Sequence, residues 1–170
     1  MDFSIIAAYA ENRVIGNGNE IPWRKTKEDR ERYREDMLRF QDLTSGHPVI
    51  MGRRTYDSIP VRFKPLDMGR TNIVITRNKS YQEKGIVLCR SMEEAMETAE
   101  DFGALAFIAG GQQIYRLAIN NPEIRRMDLT EIHSRYDGDS FFPEFNLVDW
   151  TETKREEKED YSFVTYERVQ

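Results

Sequence analysis

The chain has 170 residues, of which 39% are hydrophobic and 32% are charged, and this composition is typical of one globular domain with a substantial core. The formal net charge of −5 argues against a nucleic-acid partner, and no apolar stretch approaches the roughly 20 residues that cross a bilayer. The first residues lack the basic segment of a signal peptide, so we expect a cytoplasmic protein that forms a single domain over residues 1–170.

Cysteine and histidine are too scarce for the sites that they usually build. The single cysteine, Cys89, permits no internal disulfide, and His47 and His133 do not form a cluster at metal-ligand spacing. We therefore expect neither a disulfide nor a metal, and local groups of Lys and Arg must serve a ligand smaller than a nucleic acid.

The predicted elements alternate between strands and helices. Apolar runs predict buried strands at Phe3 to Tyr9, Pro48 to Met51, Asn72 to Thr76, Ile86 to Leu88 and Leu105 to Ile108. Periodicity predicts a helix over about Lys27 to Leu43, and a capping box predicts another over Ser91 to Asp101. This order predicts a largely parallel sheet covered on both faces. Alternating segments at Met127 to His133, Thr151 to Arg155 and Tyr161 to Arg168 predict a final antiparallel hairpin, with the charged run Lys154 to Asp160 at its tip.

An isolated carboxylate opens the first predicted helix, behind a Gly-rich loop that ends in Pro22-Trp23. Because residues four apart share a helix face, Asp29, Tyr33 and Met37 are expected to line up. A carboxylate on such a face has a raised pKa and can hold a proton near neutral pH, beneath the loop as a lid. The alternative is that Asp29 only interacts with the positive end of the helix dipole.

Three predicted strands end in residues that suit an anionic dinucleotide. Gly52 is followed by Arg53, Arg54 and Thr55, the next strand ends at Thr76-Arg77, and the third leads into Gly110-Gly111. In a parallel sheet these ends converge at one edge, where arginines favour a 2′-phosphorylated cofactor. Solvated arginines in a surface turn are the alternative, and no Rossmann fingerprint occurs in the sequence.

Taken together, these motifs resemble the dihydrofolate reductase family over nearly the whole chain. The resemblance rests on Ile6-Ala7-Ala8, Arg13-Val14-Ile15-Gly16, Pro22-Trp23, the segment Val49 to Thr55, Gly69-Arg70-Thr71-Asn72, Gly110-Gly111, Leu129-Thr130, Gly138-Asp139, Phe142-Pro143 and Trp150. It implies an α/β fold with a mostly parallel sheet of about eight strands, an antiparallel C-terminal hairpin and helices on both faces. It also implies reduction of 7,8-dihydrofolate by NADPH, binding of antifolate-like small molecules, and a monomer.

The resemblance also implies roles for individual residues. Asp29 is similar to the acid that hydrogen-bonds the pterin, with Thr130 across the pocket, and Trp23 and Tyr115 complete the catalytic group. The implied substrate-binding residues are Ile6, Ala7, Asp29, Tyr33, Leu38, Ile59, Leu66, Arg70 and Thr130, where Arg70 grips the glutamate α-carboxylate. The implied cofactor-binding residues are Ala8, Ile15, Gly16, Ile21, Gly52, Arg53, Arg54, Thr55, Thr76, Arg77, Ala109, Gly110, Gly111, Gln112, Gln113, Ile114 and Tyr115.

Three positions depart from the family pattern. The acid lies six residues after Trp23, where some members place it five residues after, so Glu28 is the alternative to Asp29. Tyr33 favours Asp29, because only that choice places an aromatic residue four positions after the acid. Arg30 stands where an apolar residue is common, and Ala109 stands where Ile or Val is usual.

Two other functions compete with this interpretation. A pyrimidine reductase of the riboflavin pathway shares the fold and cofactor, but not the Pro-Trp lid, the helical acid or the Arg70 clamp. A non-catalytic NADP-binding protein would use the same sheet edge without needing a desolvated carboxylate.

Overall fold

The computed structural model describes residues 1–169, so the last position of the predicted domain, 170, lies outside the described residues. The described residues form strands β1 (Asp2–Ala10), β2 (Val14–Gly16), β3 (Pro48–Gly52), β4 (Thr71–Ile75), β5 (Val87–Cys89), β6 (Leu105–Ile108), β7 (Arg126–Ile132), β8 (Ser140–Phe141), β9 (Trp150–Glu157) and β10 (Tyr161–Arg168). Eight of them form one sheet in the order β5-β4-β3-β6-β1-β7-β10-β9, and β2 pairs separately with β8. The sheet is parallel from β5 to β7 and antiparallel at β10 and β9. The predicted fold class is confirmed.

Helices cover both faces of the sheet. They are α1 (Lys27–Arg32), α2 (Arg34–Thr44), α3 (Arg53–Ser58), α4 (Met92–Glu100) and α5 (Gln112–Asn120), with short 3₁₀ turns at Pro22–Arg24 and Val61–Phe63. The α4 helix begins as its capping residue predicts, because the hydroxyl of Ser91 accepts a hydrogen bond from the Glu94 N–H.

Strand alternation decides which side chains reach which face. In β3, Ile50 belongs to the large core with α4 and α5, whereas Val49 and Met51 pack with Tyr56 of α3 on the other side. In β7, Leu129 belongs to the same large core. Asp128 and Thr130 therefore point to the opposite face, where α2 lies against β7.

The predicted helix over Lys27 to Leu43 is wrong as a continuous element. Tyr33 separates α1 from α2 with φ −104° and ψ 24°, outside the helical region. Burial explains the break, because only 3% of Tyr33 is exposed and its ring packs against Tyr161 at a centroid distance of 5.9 Å. The Tyr33 hydroxyl also lies 3.5 Å from that of Tyr136. A straight helix would carry this aromatic ring away from its partners.

The predicted C-terminal hairpin is confirmed, although the charged run is not confined to its tip. Residues 154 to 157 belong to β9, and only residues 158 to 160 form the turn. Lys158 pairs with Glu156 at 2.8 Å and with Glu35 of α2 at 3.5 Å, so the tip contacts the helix across the sheet edge.

Within residues 1–169, no helix combines the length and the apolar character needed to cross a membrane. In the same part of the chain, His, Cys, Asp and Glu side chains do not gather in a group of three that could hold a metal ion. Cys89 is buried as a free thiol.

Candidate active site

The central feature of the site is a contact between Asp36 of α2 and Thr130 of β7. The Thr130 hydroxyl donates a hydrogen bond of 2.7 Å to Oδ1 of Asp36. The residue as a whole is half-buried, but its carboxyl group is enclosed by protein, and burial raises the pKa of Asp36. The hydrogen bond from Thr130 and the charges of Arg24 and Arg39 oppose that rise. Asp36 is therefore a carboxyl group that ionises less readily than one in water.

The structure contradicts the predicted placement of Asp29 opposite Thr130. Asp29 lies in the first turn of α1, where its backbone N–H donates to the Thr26 hydroxyl at 3.0 Å. Residues of α1 are exposed or half-buried, and none is buried. This is the first-turn position, at the positive end of the helix dipole, that the sequence left open as the alternative. Glu28, the other candidate, is exposed and pairs with Arg32 at 3.3 Å.

Sequence reasoning missed Asp36, although the same criterion points to it. Asp36, Phe40 and Thr44 follow each other at intervals of four and share a helix face, so an acid-plus-four aromatic pair exists here as well.

Two predicted substrate-binding residues, Tyr33 and Leu38, do not face the Asp36–Thr130 contact. Tyr33 belongs to a buried aromatic group with Trp23, Tyr136 and Tyr161. Leu38 is 41% exposed and lines a shallow groove between α2 and the hairpin residue Phe163. Two positions after Asp36, Leu38 points to the opposite side of the helix.

Two other predicted substrate-binding residues, Ile59 and Leu66, lie together. Ile59 and Leu66 are half-buried against the cluster of Val49, Met51, Tyr56 and Val74. The Asn72 side chain fixes the backbone of Leu66 through bonds of 2.9 and 2.7 Å to its N–H and carbonyl groups. These two bonds fix the backbone of Leu66 in place beside α3.

Arg70 is held against the end of α2. Its Nε donates to the Thr44 hydroxyl at 2.8 Å, and its Nη2 donates to the Gln41 carbonyl at 2.9 Å. Its Nη1 donates to the Asp67 carbonyl at 2.7 Å, and its guanidinium lies 5.9 Å from the centre of the Phe40 ring. Since these bonds use three of five N–H donors, two remain for a ligand.

The three predicted strand ends converge as expected. Strand β3 lies between β4 and β6, so Gly52, Thr76 and Gly110 meet at one sheet edge. The N–H of Gly52 donates to the Gly110 carbonyl at 2.8 Å, and the Gly110–Gly111 peptide bond is cis. A Cβ atom on Gly111 would lie 2.9 Å from the Thr55 hydroxyl, and Gly110 adopts φ +103°. Larger residues are therefore excluded from this cradle.

The arginines at this edge differ in their contacts. Arg53 pairs with Asp57 at 2.9 Å, and Asp57 also accepts a bond of 2.7 Å from the Tyr81 hydroxyl. Arg54 and Arg77 are exposed, whereas Thr76 is buried. This edge of the sheet therefore carries one arginine held in an ion pair, Arg53, and two solvent-exposed arginines, Arg54 and Arg77.

The helix behind the glycine pair contains further predicted cofactor residues. Tyr115 is buried on α5, and its hydroxyl donates to the Ile6 carbonyl at 2.8 Å. Burial raises the pKa of Tyr115. Gln112 accepts a bond from the Phe141 N–H at 2.6 Å, so its amide holds β8. Ile114 is buried, Ala109 and Gly111 are half-buried, and Gln113 is exposed.

The predicted lid is anchored at both ends. Near its start, β2 contains Ile15 and Gly16 and pairs with β8, and the Gly18 N–H bonds to the Asp139 carboxylate at 3.1 Å. At its end Trp23 is only 1% exposed, while Ile21 is 44% exposed. Arg30 donates from α1 to the carbonyl groups of residues 24 and 25, which explains a charged residue at that position. Beside the lid, Ile6 and Ala7 of β1 are buried and Ala8 is half-buried.

Comparisons with known proteins agree with this geometry. The sequence model of the family described as dihydrofolate reductase matches residues 2–168. The chain belongs to the dihydrofolate reductase family. It is 40% identical to the dihydrofolate reductase of Neisseria gonorrhoeae over 98% of each chain, and 35% identical to dihydrofolate reductase HdrB of Haloferax volcanii over 99% of this chain and 84% of that one. A solved dihydrofolate reductase from Enterococcus faecalis, complexed with NADP(H) and RAB-propyl, superposes with a TM-score of 0.84 at 27% identity and covers 99% of this chain and 97% of its own.

Membership in the dihydrofolate reductase family confirms the resemblance seen in the sequence. It does not by itself select the acid, because Asp29 and Asp36 both lie between Trp23 and β3. Of the two, Asp36 is the one whose carboxyl group is hydrogen-bonded to Thr130 of the sheet.

Proposed function

We propose that this protein reduces 7,8-dihydrofolate to tetrahydrofolate with hydride from NADPH. The observation that carries the proposal is the enclosed Asp36 carboxyl bonded to Thr130. Family membership supports the reaction, and the Enterococcus faecalis relative with bound NADP(H) supports the cofactor. The product places the protein in one-carbon metabolism.

Asp36 and Thr130 are proposed to hold the pterin. A carboxylate accepts two parallel hydrogen bonds from an amidine-like edge, and the hydroxyl of Thr130 fixes the carboxylate from the other side. The raised pKa lets Asp36 keep its proton to a higher pH than an exposed carboxyl group would, so Asp36 supports protonation of pterin N5 directly or through water. In this proposal Asp36 replaces Asp29 as the acid.

The proposed substrate-binding residues lie on the face of α2 that carries Asp36 and on the segment opposite that face. Phe40 stands one turn after the acid and beside Arg70, and it takes the place that the sequence gave to Tyr33. Ile59 and Leu66 form the opposite rim. The two remaining N–H donors of Arg70 suit the α-carboxylate of the glutamate tail.

The residues at the sheet edge fit a phosphorylated dinucleotide. At Gly110-Gly111 the backbone packs too closely against Tyr115 and Thr55 to allow a side chain, and Arg53, Arg54 and Arg77 beside it supply positive charge for the phosphates. NADPH supplies the hydride when bound. The protein's own tasks are to orient the two rings, exclude water with the lid over Gly16 to Trp23, and hold the proton at Asp36.

We also infer that the protein acts as a single-domain cytoplasmic monomer that binds antifolate-like inhibitors at the pterin site. One free buried thiol is typical of a reducing compartment. Gel filtration with light scattering tests the monomer, and displacement of dihydrofolate by an antifolate tests the shared site.

The reaction is tested by mixing the protein with NADPH and dihydrofolate and following the near-ultraviolet absorbance of NADPH. We expect loss of absorbance only when both are present, with tetrahydrofolate identified by mass spectrometry. NADPH oxidation with a ribosylamino-pyrimidine and none with dihydrofolate would instead support the riboflavin-pathway activity. Binding of NADPH without turnover of either substrate would support the non-catalytic alternative.

A further inference from the structure

A second polar contact joins α2 to β7 beside the contact at the acid. Asp36 and Arg39 lie three residues apart on one side of α2, and Asp128 and Thr130 lie two residues apart on one face of β7. Thr130 binds Asp36 at 2.7 Å, and Arg39 approaches Asp128 at 3.6 Å. The helix and strand are therefore joined by two contacts in the same register.

Asp128 is a buried anion that stays ionised. It is 2% exposed, and its carboxylate accepts two bonds from Arg126 at 2.8 and 2.9 Å and one from Ser4 at 2.9 Å. Burial alone would raise the pKa of Asp128, but these donors and the charges of Arg126 and Arg39 lower it. Arg39 consequently has a permanently charged partner at neutral pH.

Arg39 is fixed by more than this ion pair. Its Nη1 donates to the Leu129 carbonyl at 3.3 Å, and its guanidinium lies 4.7 Å from the centre of the Phe163 ring on β10. Only 18% of its side chain is exposed. Contacts from two strands thus hold a positive charge at one place, about one helical turn from Asp36.

We propose that Arg39 is a positioning residue for Asp36. Arg39 is held on β7 by Asp128, so it fixes the rotation of α2 about its axis at the angle that brings Asp36 to Thr130. Arg39 also keeps a positive charge beside the acid. The inference rests on the proposed function only in taking Asp36 as the reacting acid. The packing of Arg39 is independent of that role.

The charge of Arg39 is one of several that Asp36 meets. Arg24 faces the carboxyl group from the 3₁₀ turn, Tyr115 from α5 and Tyr161 from β10, and Thr130 bonds it from β7. Burial raises the pKa of Asp36, whereas Arg39 and Arg24 lower it. Loss of the Arg39 charge is therefore expected to move the pKa of Asp36 upward, which shifts any rate that needs the protonated acid toward higher pH.

The test compares Arg39→Met, Arg39→Lys and Arg126→Met in the full-length protein. Arg39→Met keeps an apolar side chain on Phe163 and removes the charge, while Arg39→Lys restores the charge. Arg126→Met is the matched control, because it removes an equal charge from the same Asp128 but Arg126 does not face Asp36. Each variant is checked for folding by circular dichroism, and Arg39→Gln replaces Arg39→Met if the latter does not fold.

The main readout is the carbon-13 NMR titration of the Asp36 carboxyl, assigned by its loss in Asp36→Asn. We expect an upward shift in Arg39→Met, its reversal in Arg39→Lys, and no shift in Arg126→Met. An unmoved Asp36 titration in folded Arg39→Met, or equal shifts in Arg39→Met and Arg126→Met, overturns the proposal.

The second readout is the pH dependence of single-turnover hydride transfer. Arg39→Met is expected to move the midpoint to higher pH, whereas a merely structural role would lower the rate equally at every pH and contradicts the proposal. If Asp36→Asn retains the wild-type rate, the proposed function of Asp36 fails. The NMR titration still decides whether Arg39 acts on Asp36.

Discussion

Asp36→Asn, compared with Asp29→Asn, decides which carboxylate is the acid. The asparagine amide oxygen can still accept the 2.7 Å bond from Thr130, so the replacement removes the proton and leaves the contact in place. General acid catalysis contributes about 10²–10⁴-fold, which corresponds to about 2.7–5.5 kcal/mol of barrier. We expect Asp36→Asn to lose hydride-transfer rate by that factor at neutral pH.

Asp29→Asn is the matched control, with the same chemical change at a half-buried position in the first turn of α1. Its backbone N–H bond to Thr26 does not involve the carboxylate, so we expect a rate within about twofold of wild type, as for other surface changes. The assay is stopped-flow single turnover with NADPH bound in advance, and the affinity for NADPH is measured separately by fluorescence.

The pH dependence adds a second criterion. Acid supplies dihydrofolate already protonated at N5, so Asp36→Asn should recover activity as pH falls. A large loss in Asp29→Asn together with a nearly unchanged Asp36→Asn would refute the reasoning from the Thr130 contact.

Three further outcomes follow from the structure. Because burial raises the pKa of Asp36, this group stabilises the fold at low pH and loses that contribution as pH rises through its folded pKa. Asp36→Asn should therefore unfold at a higher temperature than wild type near neutral pH, and the difference should vanish in acid. A lower melting temperature of the variant at neutral pH would contradict this. Gly138→Ala should destabilise the protein by about 1–3 kcal/mol in urea unfolding, because its Cβ would collide with Val14 and the Gly16 carbonyl, and an unchanged midpoint would show that β2 and β8 separate freely. Arg77→Ala should raise the Michaelis constant for NADPH by about tenfold with little change for NADH, and equal losses with both would refute the 2′-phosphate contact.

The sheet could be predicted from the sequence, because its signals are local. The apolar runs at β3, β4 and β6 are short and end in glycine or arginine, and parallel order then brings their ends together. The same reasoning located Gly52, Gly110 and Gly111 correctly at one edge. The side-chain roles at that edge depend on ligands and remain predictions.

The helix before β3 could not be predicted in the same way. Neither proline nor glycine marks the break at Tyr33, and the periodicity of the sequence continues through it. The break is dictated by Tyr136 and Tyr161, which lie more than 100 residues away along the chain. Local spacing therefore favoured Asp29 over Asp36, and only the tertiary contact between Asp36 and Thr130 favours Asp36.

Strand β1 occupies the interior of the sheet, between β6 and β7. Its first residues pair with Leu105 to Ile108 and its later ones with Arg126 to Ile132, so both of its partners in the large sheet are about 100 or more residues away along the chain. Such high contact order makes folding slow, since a long loop must close before any pairing offsets the lost entropy. During synthesis this apolar strand remains unpaired until most of the chain has been made. We therefore expect refolding yields to fall with protein concentration and to improve with a chaperone that shields exposed strands.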